Sequence, residues 1–473
     1  MLIFFSLFSI QDKSIEYSVP IPGGDAHQYF NTAYNLAQYN VHDYDRNENP
    51  KPSFYREPLY PFLLSLNYRL IGLNSEDRLN CLFEDKKKCS KYILSGKYLN
   101  FIYLILILIS AYIFLREFNI NKPIILLSLL IIVNNPLITQ YVNEFLTEVL
   151  ASLLFIISAF SIYKIFLYKN LSLNKIILYG FLFSLLIMTK FVYFFSIYIC
   201  LILIISVIAI NFILKKNNKK SKLYIALNYR QIMIFLIIAL IIPTLWKVRN
   251  FNELGFFELS PRGYSGAIMQ RLEYLTMNEN EKKAGHWLYF FKSGMKDKAM
   301  MNIKKKDLER YELSCSNIEN WYCKAFTDDG LVLKRIDPMN RKVFYKIKDE
   351  SIKVLIENLP KHLYLTPLFL QRGTLNVING LGDYKDFKTS FYRYFTFINF
   401  IIMFIGILYG IFRLNYLIVA LSLPLVYHYG VYSMLTHFEP RYSILTLNYI
   451  FIFNIIFIKT IYMANKWNLI KKK

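Results

Sequence analysis

The feature that most constrains this 473-residue chain is a series of apolar runs, each roughly 16–24 residues long. A helix of about 20 apolar residues matches the ~30 Å of hydrocarbon in a bilayer. The runs are Tyr98–Leu115, Pro123–Val142, Val149–Leu167, Phe191–Leu214, Gln231–Trp246, Phe391–Phe412, Tyr416–Leu435 and Tyr442–Tyr462. Ile176–Met188 is shorter and crosses if its neighbours join it. Lipid offers no hydrogen bonds to a backbone, so such runs must satisfy their own peptide groups as helices. The residues are 55% hydrophobic and 17% aromatic, more than a soluble domain of this length needs. The expected fold is an all-α polytopic membrane protein with roughly 10 transmembrane helices. MLIFFSLFSI at the start is too short to span. It is expected to be the outer end of a truncated first span.

The net charge of +23 does not call for nucleic acid. Much of the excess lies in short loops: REFNINK (116–122), KNLSLNK (169–175), KKNNKKSK (215–222), around Arg413, and the tail KWNLIKKK. The loop NEFLTE (143–148) is acidic. Positive loops face the cytoplasm, so counting spans from Met1–Ile10 puts the basic loops inside. Two long segments then lie outside, one from about Gln11 to Lys97 and one from about Lys247 to Ser390. The chain divides into an N-terminal membrane module 1–246 that includes the outer loop 11–97, an extracytoplasmic and interfacial segment 247–390, and a three-span module 391–473 with a basic tail.

Cys81 and Cys89 fall in the first outer segment, Cys315 and Cys323 in the second, and Cys200 stands alone in an apolar run. Two close pairs on the outer side read as two short-loop disulfides, against the alternative of unpaired thiols. Seven intervening residues is not a usual zinc spacing.

Within the first outer segment Ala26, Tyr29, Phe30, Ala33, Leu36 and Ala37 recur at helical spacing. This predicts an amphipathic helix on the membrane surface. A second such helix is expected over Leu59–Leu73, with Pro58 and Pro61 at its start. The stretch LPKHLYLTPLFLQRGT reads as interfacial and interrupted at Pro367. No phosphate-binding glycine motif occurs, so nothing points to a nucleotide fold.

Six polar stretches fall at the outer ends of spans: GGDAHQYF (23–30), YREPLYPF (55–62), NEFLTEVL (143–150), MTKFVY (188–193), WKVRNF (246–251) and HFEPRYSI (437–444). Ionisable groups at such places are site candidates. Each has a plainer reading. Asp25 with Gln28 three residues on resembles a helix-capping box. Glu144 and Glu148 read equally as solvated loop acids. Lys190, Arg249 and Arg441 read as snorkelling to headgroups, and Arg56–Glu57 as a surface ion pair. His27 and His437 fit interfacial histidines better than metal ligands; neither the Asp25/His27 nor the His437/Glu439 spacing specifies a metal.

In order and spacing these motifs resemble the GT-C superfamily of integral-membrane glycosyltransferases, in the branch of dolichyl-phosphate-mannose–protein mannosyltransferases and aminoarabinose transferases. The resemblance rests on Asp25, Tyr29, Ala33 and Leu36 in the first loop; on YREPLYPF; on Glu148 opening a span; on PTLWKVRNFNELGFF with Pro243, Arg249, Asn250 and Gly255; and on Glu439-Pro440-Arg441-Tyr442. It implies an inverting enzyme that moves a sugar, hexosyl or pentosyl, from a polyprenyl-phosphate donor to an acceptor hydroxyl on a glycolipid, polysaccharide or protein. It places that site on the periplasmic or outer face of a bacterial inner (plasma) membrane. Asp25, Glu57 and Glu148 would be catalytic, with Asp25 the general base. Arg249, Arg441, Lys190 and Arg56 would bind the donor phosphate. Tyr29, Tyr55, Asn250, Glu439 and His437 would shape the substrate site. No cofactor is required by the pattern, which leaves room for a divalent cation. A transporter or flippase, or a polymerase of lipid-linked oligosaccharide, is the alternative. Against transport, no inverted repeat is seen and the polar groups gather at one face.

Overall fold

The computed structural model describes residues 25–44, 49–73, 90–168, 170–216, 228–260, 341–379 and 387–470, except 437 and 439. Met1–Ile10, both cysteine pairs, His437 and Glu439 lie outside the described residues. Fourteen α-helices and no strand are found among the described residues. They are α1 (Asp25–Tyr39), α2 (Leu59–Leu70), α3 (Ser90–Glu117), α4 (Lys122–Asn134), α5 (Pro136–Val142), α6 (Glu148–Leu167), α7 (Leu173–Thr189), α8 (Phe195–Lys216), α9 (Tyr229–Leu254), α10 (Arg341–Glu357), α11 (Leu359–Asn379), α12 (Phe387–Phe412), α13 (Tyr416–Leu435) and α14 (Pro440–Ile470).

Six of these (α3, α6, α9, α12, α13 and α14) are long and apolar enough to cross a membrane, and α4 with α5 forms a seventh, bent by 57°. The chain is an integral membrane protein. The bend corrects the expectation of one straight span over Pro123–Val142. Asn135 adopts extended backbone, and its side chain caps α5 by accepting from the Leu137 N–H at 3.0 Å. The next residue, Pro136, opens the new helix. Likewise Phe191–Phe194 forms a 3-10 turn before α8 begins.

Three ties fix which helix ends lie together. The Gln231 amide at the start of α9 donates to Ile165 O and Tyr168 O at the end of α6. Lys459 of α14 donates to Phe118 O and Asn119 O just past α3. Lys190, which follows α7, pairs with Glu148 at the start of α6. The 17-residue α7 therefore runs the depth of the bundle, about 25 Å at 1.5 Å per residue. The alternation of ends expected from the loop charges holds for α3, α6, α7, α9 and α14.

In the first outer segment α1 packs against the protein. Its residues from Tyr29 to Tyr34 are buried, because α2 covers one side and Phe145, 5.7 Å from Phe30, the other. Phe145 seats where Gly96 of α3 has no side chain; a Cβ there would meet its ring at 2.3 Å. Helix α11 is not interrupted at Pro367 but runs through it. Leu365, Leu368 and Phe369 are buried on its inner face, where α13 and α14 pack. Tertiary packing outweighs the one backbone hydrogen bond that proline removes.

Candidate active site

At one end of the bundle the expected charges meet. Asp25 opens α1, where the helix dipole favours an anion. Its Oδ1 takes Arg56 Nη2, and its Oδ2 lies 2.8 Å from Arg441 Nη2. Arg441 stands in the first turn of α14, an unfavourable place for a cation; the Asp25 carboxylate offsets that. The guanidinium of Arg56 is almost fully buried, 1% exposed for the residue. Its Nε donates to Gln28 Oε1 at 2.5 Å. Its carbon sits 5.0 Å from the ring of Tyr29 and 5.6 Å from that of Tyr55. The Gln28 oxygen is thus turned toward Arg56, so the capping-box expectation gives way to an arginine-binding pair of Asp25 and Gln28. Tyr29 OH donates to Glu57 Oε2 at 2.6 Å. Successive residues Arg56 and Glu57 therefore reach different partners on α1, and the plain surface-pair reading of Arg56–Glu57 does not hold.

The second half of the cluster comes from the α5–α6 turn and α7. Glu148 is the first residue of α6 and is buried, 2% exposed. Its Oε1 is 3.2 Å from Lys190 Nζ. Lys190 leaves helical geometry at the end of α7 (φ −144°, ψ 98°), which directs it to this point. Its ammonium also lies 5.9 Å from the Tyr442 ring, which neighbours Arg441. The turn itself is clamped: Asn100 Nδ2 donates to Val142 O and Glu144 O. Burial first, then the charge of Glu148, push the Glu144 carboxyl up to about 7, against the pull of Arg441. Glu148 Oε2 and Arg56 Nη1 are buried without a hydrogen-bond partner among the described residues.

Arg249 takes a different position. Its Nη1 donates to Ser53 O at 2.8 Å and to Asn250 Oδ1 at 3.0 Å, and its guanidinium packs 4.9 Å from the Trp246 ring. Ser53 O also bonds His42 Nδ1 at 3.0 Å. Burial and the charge of Arg249 lower His42 to about 4, so the ring is neutral; facing a carbonyl, Nδ1 carries the proton. Asn250 is fully buried and donates to Glu258 O. Arg249 and Asn250 thus fasten the first loop to the end of α9. Among the described residues no three His, Cys, Asp or Glu side chains gather as a metal site.

The sequence pattern passed over two participants. His428, alone in the apolar run of α13, is fully buried with Nδ1 2.8 Å from Tyr193 OH. An ionisable residue within a span was its signal. Gln28 carried none, since only the folded backbone places it on Arg56.

A small apolar cavity of about 70 Å³ lies between α6, α7, α8, α9 and α13. Phe155, Ala159, Phe183, Phe235 and Pro424 line it, as does Tyr193, three residues after Lys190.

No protein-family model matches the chain, and no curated protein matches it in sequence. Solved structures do align with it. The oligosaccharyltransferase AglB from Archaeoglobus fulgidus, in complex with an inhibitory peptide and a dolichol-phosphate, aligns at a TM-score of 0.48 with 12% identity. That alignment covers 100% of this chain and 51% of AglB, so the chain spans about half the length of that enzyme. ArnT from Cupriavidus metallidurans bound to undecaprenyl phosphate aligns at 0.36 with 13% identity, over 96% of this chain and 76% of ArnT. Similarity at this level does not by itself assign a reaction.

Proposed function

We propose that the chain is an inverting glycosyltransferase that uses a polyprenyl-phosphate sugar, hexosyl or pentosyl, and glycosylates an acceptor hydroxyl at the outer face of the membrane. The observation that carries this reading is the Asp25 carboxylate held between Arg56 and Arg441 at one end of a bundle of apolar helices. An amphiphile with a phosphate head and a hydrocarbon tail suits that pairing of charge and apolar surface. Its tail would lie along the apolar helices. Its phosphate would meet Lys190 and Arg441, whose planar fork suits phosphate oxygens.

In this reading Asp25 is the base. Two arginines fix its orientation, and a carboxylate keeps lone pairs beyond the two they engage. The acceptor oxygen attacks the anomeric carbon as its proton passes to Asp25. The bond from that carbon to the phosphate oxygen breaks on the opposite side. Arg441 and Lys190 stabilise the charge that develops on the leaving polyprenyl phosphate. Glu148 holds Lys190, and Glu57 with Tyr29 and Tyr55 walls the pocket around Arg56. Arg249 enters as the residue that fixes the first loop rather than as a direct phosphate ligand.

The test incubates membranes containing the protein with radiolabelled polyprenyl-phosphate sugars and follows label into a product. Transfer by the wild type and its loss in Asp25→Asn is the expected result. No transfer from any such donor overturns the reading. The broken α4–α5 span is the one feature that favours transport instead, but it has no matched counterpart among the described residues, and the charges sit at an end of the bundle rather than at mid-depth.

A further inference from the structure

Helix α11 belongs to the second long segment, yet a single column of groups connects it to the cations of the site. The column starts at Gly373, whose backbone faces the ring of Phe438. A Cβ at Gly373 would stand 2.5 Å from three ring atoms. That ring is completely buried and has no space to retreat. Phe438 adopts a positive φ of 38°, a conformation costly for a bulky residue and kept only when its surroundings enforce it. One bond supports it: the Phe438 N–H donates to Thr436 Oγ1 at 2.9 Å. Beside it, as a second bond, Ser443 Oγ donates to Gly373 O at 2.6 Å. The second ties the first turn of α14 directly to α11.

Beyond Phe438 the stacking continues. The Tyr432 ring lies 5.6 Å away and inclined by 25°. The Tyr442 ring stacks on Tyr432 at 4.8 Å and 30°. The guanidinium carbon of Arg441 is 5.4 Å from the Tyr442 centroid, and Lys190 Nζ is 5.9 Å from it. The column therefore runs from a glycine backbone through three rings to both cations.

We propose that Gly373, Phe438, Tyr432 and Tyr442 are positioning residues that set where Arg441 and Lys190 stand, making α11 the element that fixes the phosphate clamp. The clamp itself rests on the function proposed above. The physical basis is that packed rings transmit displacement: interiors are close-packed and yield little. A methyl group at position 373 has to displace Phe438, and the arginine three residues later moves with it. Helix α11 thereby acts on the phosphate site through these rings.

The experiment compares full-length wild type, Gly373→Ala, Phe438→Leu and the Gly373→Ala/Phe438→Leu double variant in detergent. It measures kcat and acceptor KM for sugar transfer and amide hydrogen exchange over residues 440–444. Gly373→Ala is expected to lower kcat about 100-fold, leave acceptor KM unchanged and raise exchange in that segment. The double variant, with room for the methyl group, is expected to rise above Gly373→Ala to the reduced kcat of Phe438→Leu alone. Wild-type kcat in Gly373→Ala, or a double variant no better than Gly373→Ala, overturns the proposal. If Gly373→Ala does not fold, Phe438→Leu decides: reduced kcat at unchanged KM supports the column, and wild-type kcat overturns it. If the wild type transfers no sugar from a polyprenyl phosphate, the proposed function fails. Hydrogen exchange then judges the column alone, with increased exchange supporting it and unchanged exchange defeating it.

Discussion

Helix α6 carries an ion pair at each of its ends, and the two are built differently. Lys164 and Glu148 are about 24 Å apart along the helix. At the Lys164 end, Glu117 Oε1 takes both the lysine and the Tyr168 hydroxyl at 2.7 Å. The rings of Tyr168 and Phe160 close around the ammonium, with centroids at 4.1 and 5.2 Å. One acid meets one cation, and aromatic faces complete the shell. At the Glu148 end, two further carboxylates, Glu144 and Asp25, and two arginines join Glu148 and Lys190. Asp25 comes from α1, Arg56 from the loop before α2, Glu144 from the α5–α6 turn and Arg441 from α14. The Lys164–Glu117 pair ties two helices with one acid and one cation. The other cluster brings together six charged groups, more than a single tie between helices requires.

The difference can be broken by substitution. The largest effect is expected for Asp25→Asn, which keeps the shape but removes the charge and the basic lone pairs. Transfer should fall about 10²–10⁴-fold, measured as labelled product per milligram of folded protein. Full activity would remove Asp25 from the chemistry. Next, Arg441→Lys should cost about 10²-fold in kcat, because a point charge cannot serve Asp25 and a phosphate in one plane. Arg249→Lys should instead lower thermal stability with a much smaller change in kcat, since its bonds go to Ser53 and Asn250. The reverse ranking would make Arg249 the phosphate ligand.

Glu144 sharpens the comparison through pH. Its carboxyl is raised from 4.5 to about 7 in the folded state, so the folded protein holds that proton more tightly than the unfolded chain. The resulting stability is present below pH 4.5 and is lost as pH rises through about 7. Glu144→Gln should remove that part of the decline, seen as a flatter melting temperature between those limits. Superimposable profiles of variant and wild type would show that the site does not burden Glu144. The smallest expected effect on turnover is at the other end. Lys164→Met should reduce stability by about 2 kcal/mol, read as a lower melting temperature, and leave kcat per folded molecule unchanged. A loss of turnover there would end the contrast between the two ends.

Much of the architecture was legible in the chain itself. Every apolar run named from Tyr98 onward is helical in the structure, because hydrocarbon admits few other arrangements of an apolar segment. The breaks were less legible. The Asn135-Pro136 step is a turn signal inside the apolar run 123–142, but the kink itself depends on how Asn135 caps α5. Pro367 misled in the opposite sense, since a local helix-breaking tendency yields to packing against α13 and α14. In the site, residue types and their common end of the bundle were readable from motifs and loop charge. The pairings were not: Asp25 to Arg441 spans more than four hundred positions, and no local pattern distinguishes Arg441 from Arg249.

The sequence alone determined that this is a helical membrane protein with its carboxylates and cations at span ends, because apolar length and loop charge act locally and add along the chain. The tertiary structure decided which charge faces which. It placed Asp25 between two arginines, Glu144 in an environment that resists ionisation, and Gly373 under the ring that leads to Arg441. Those are properties of distance and desolvation, and both exist only once remote segments have packed.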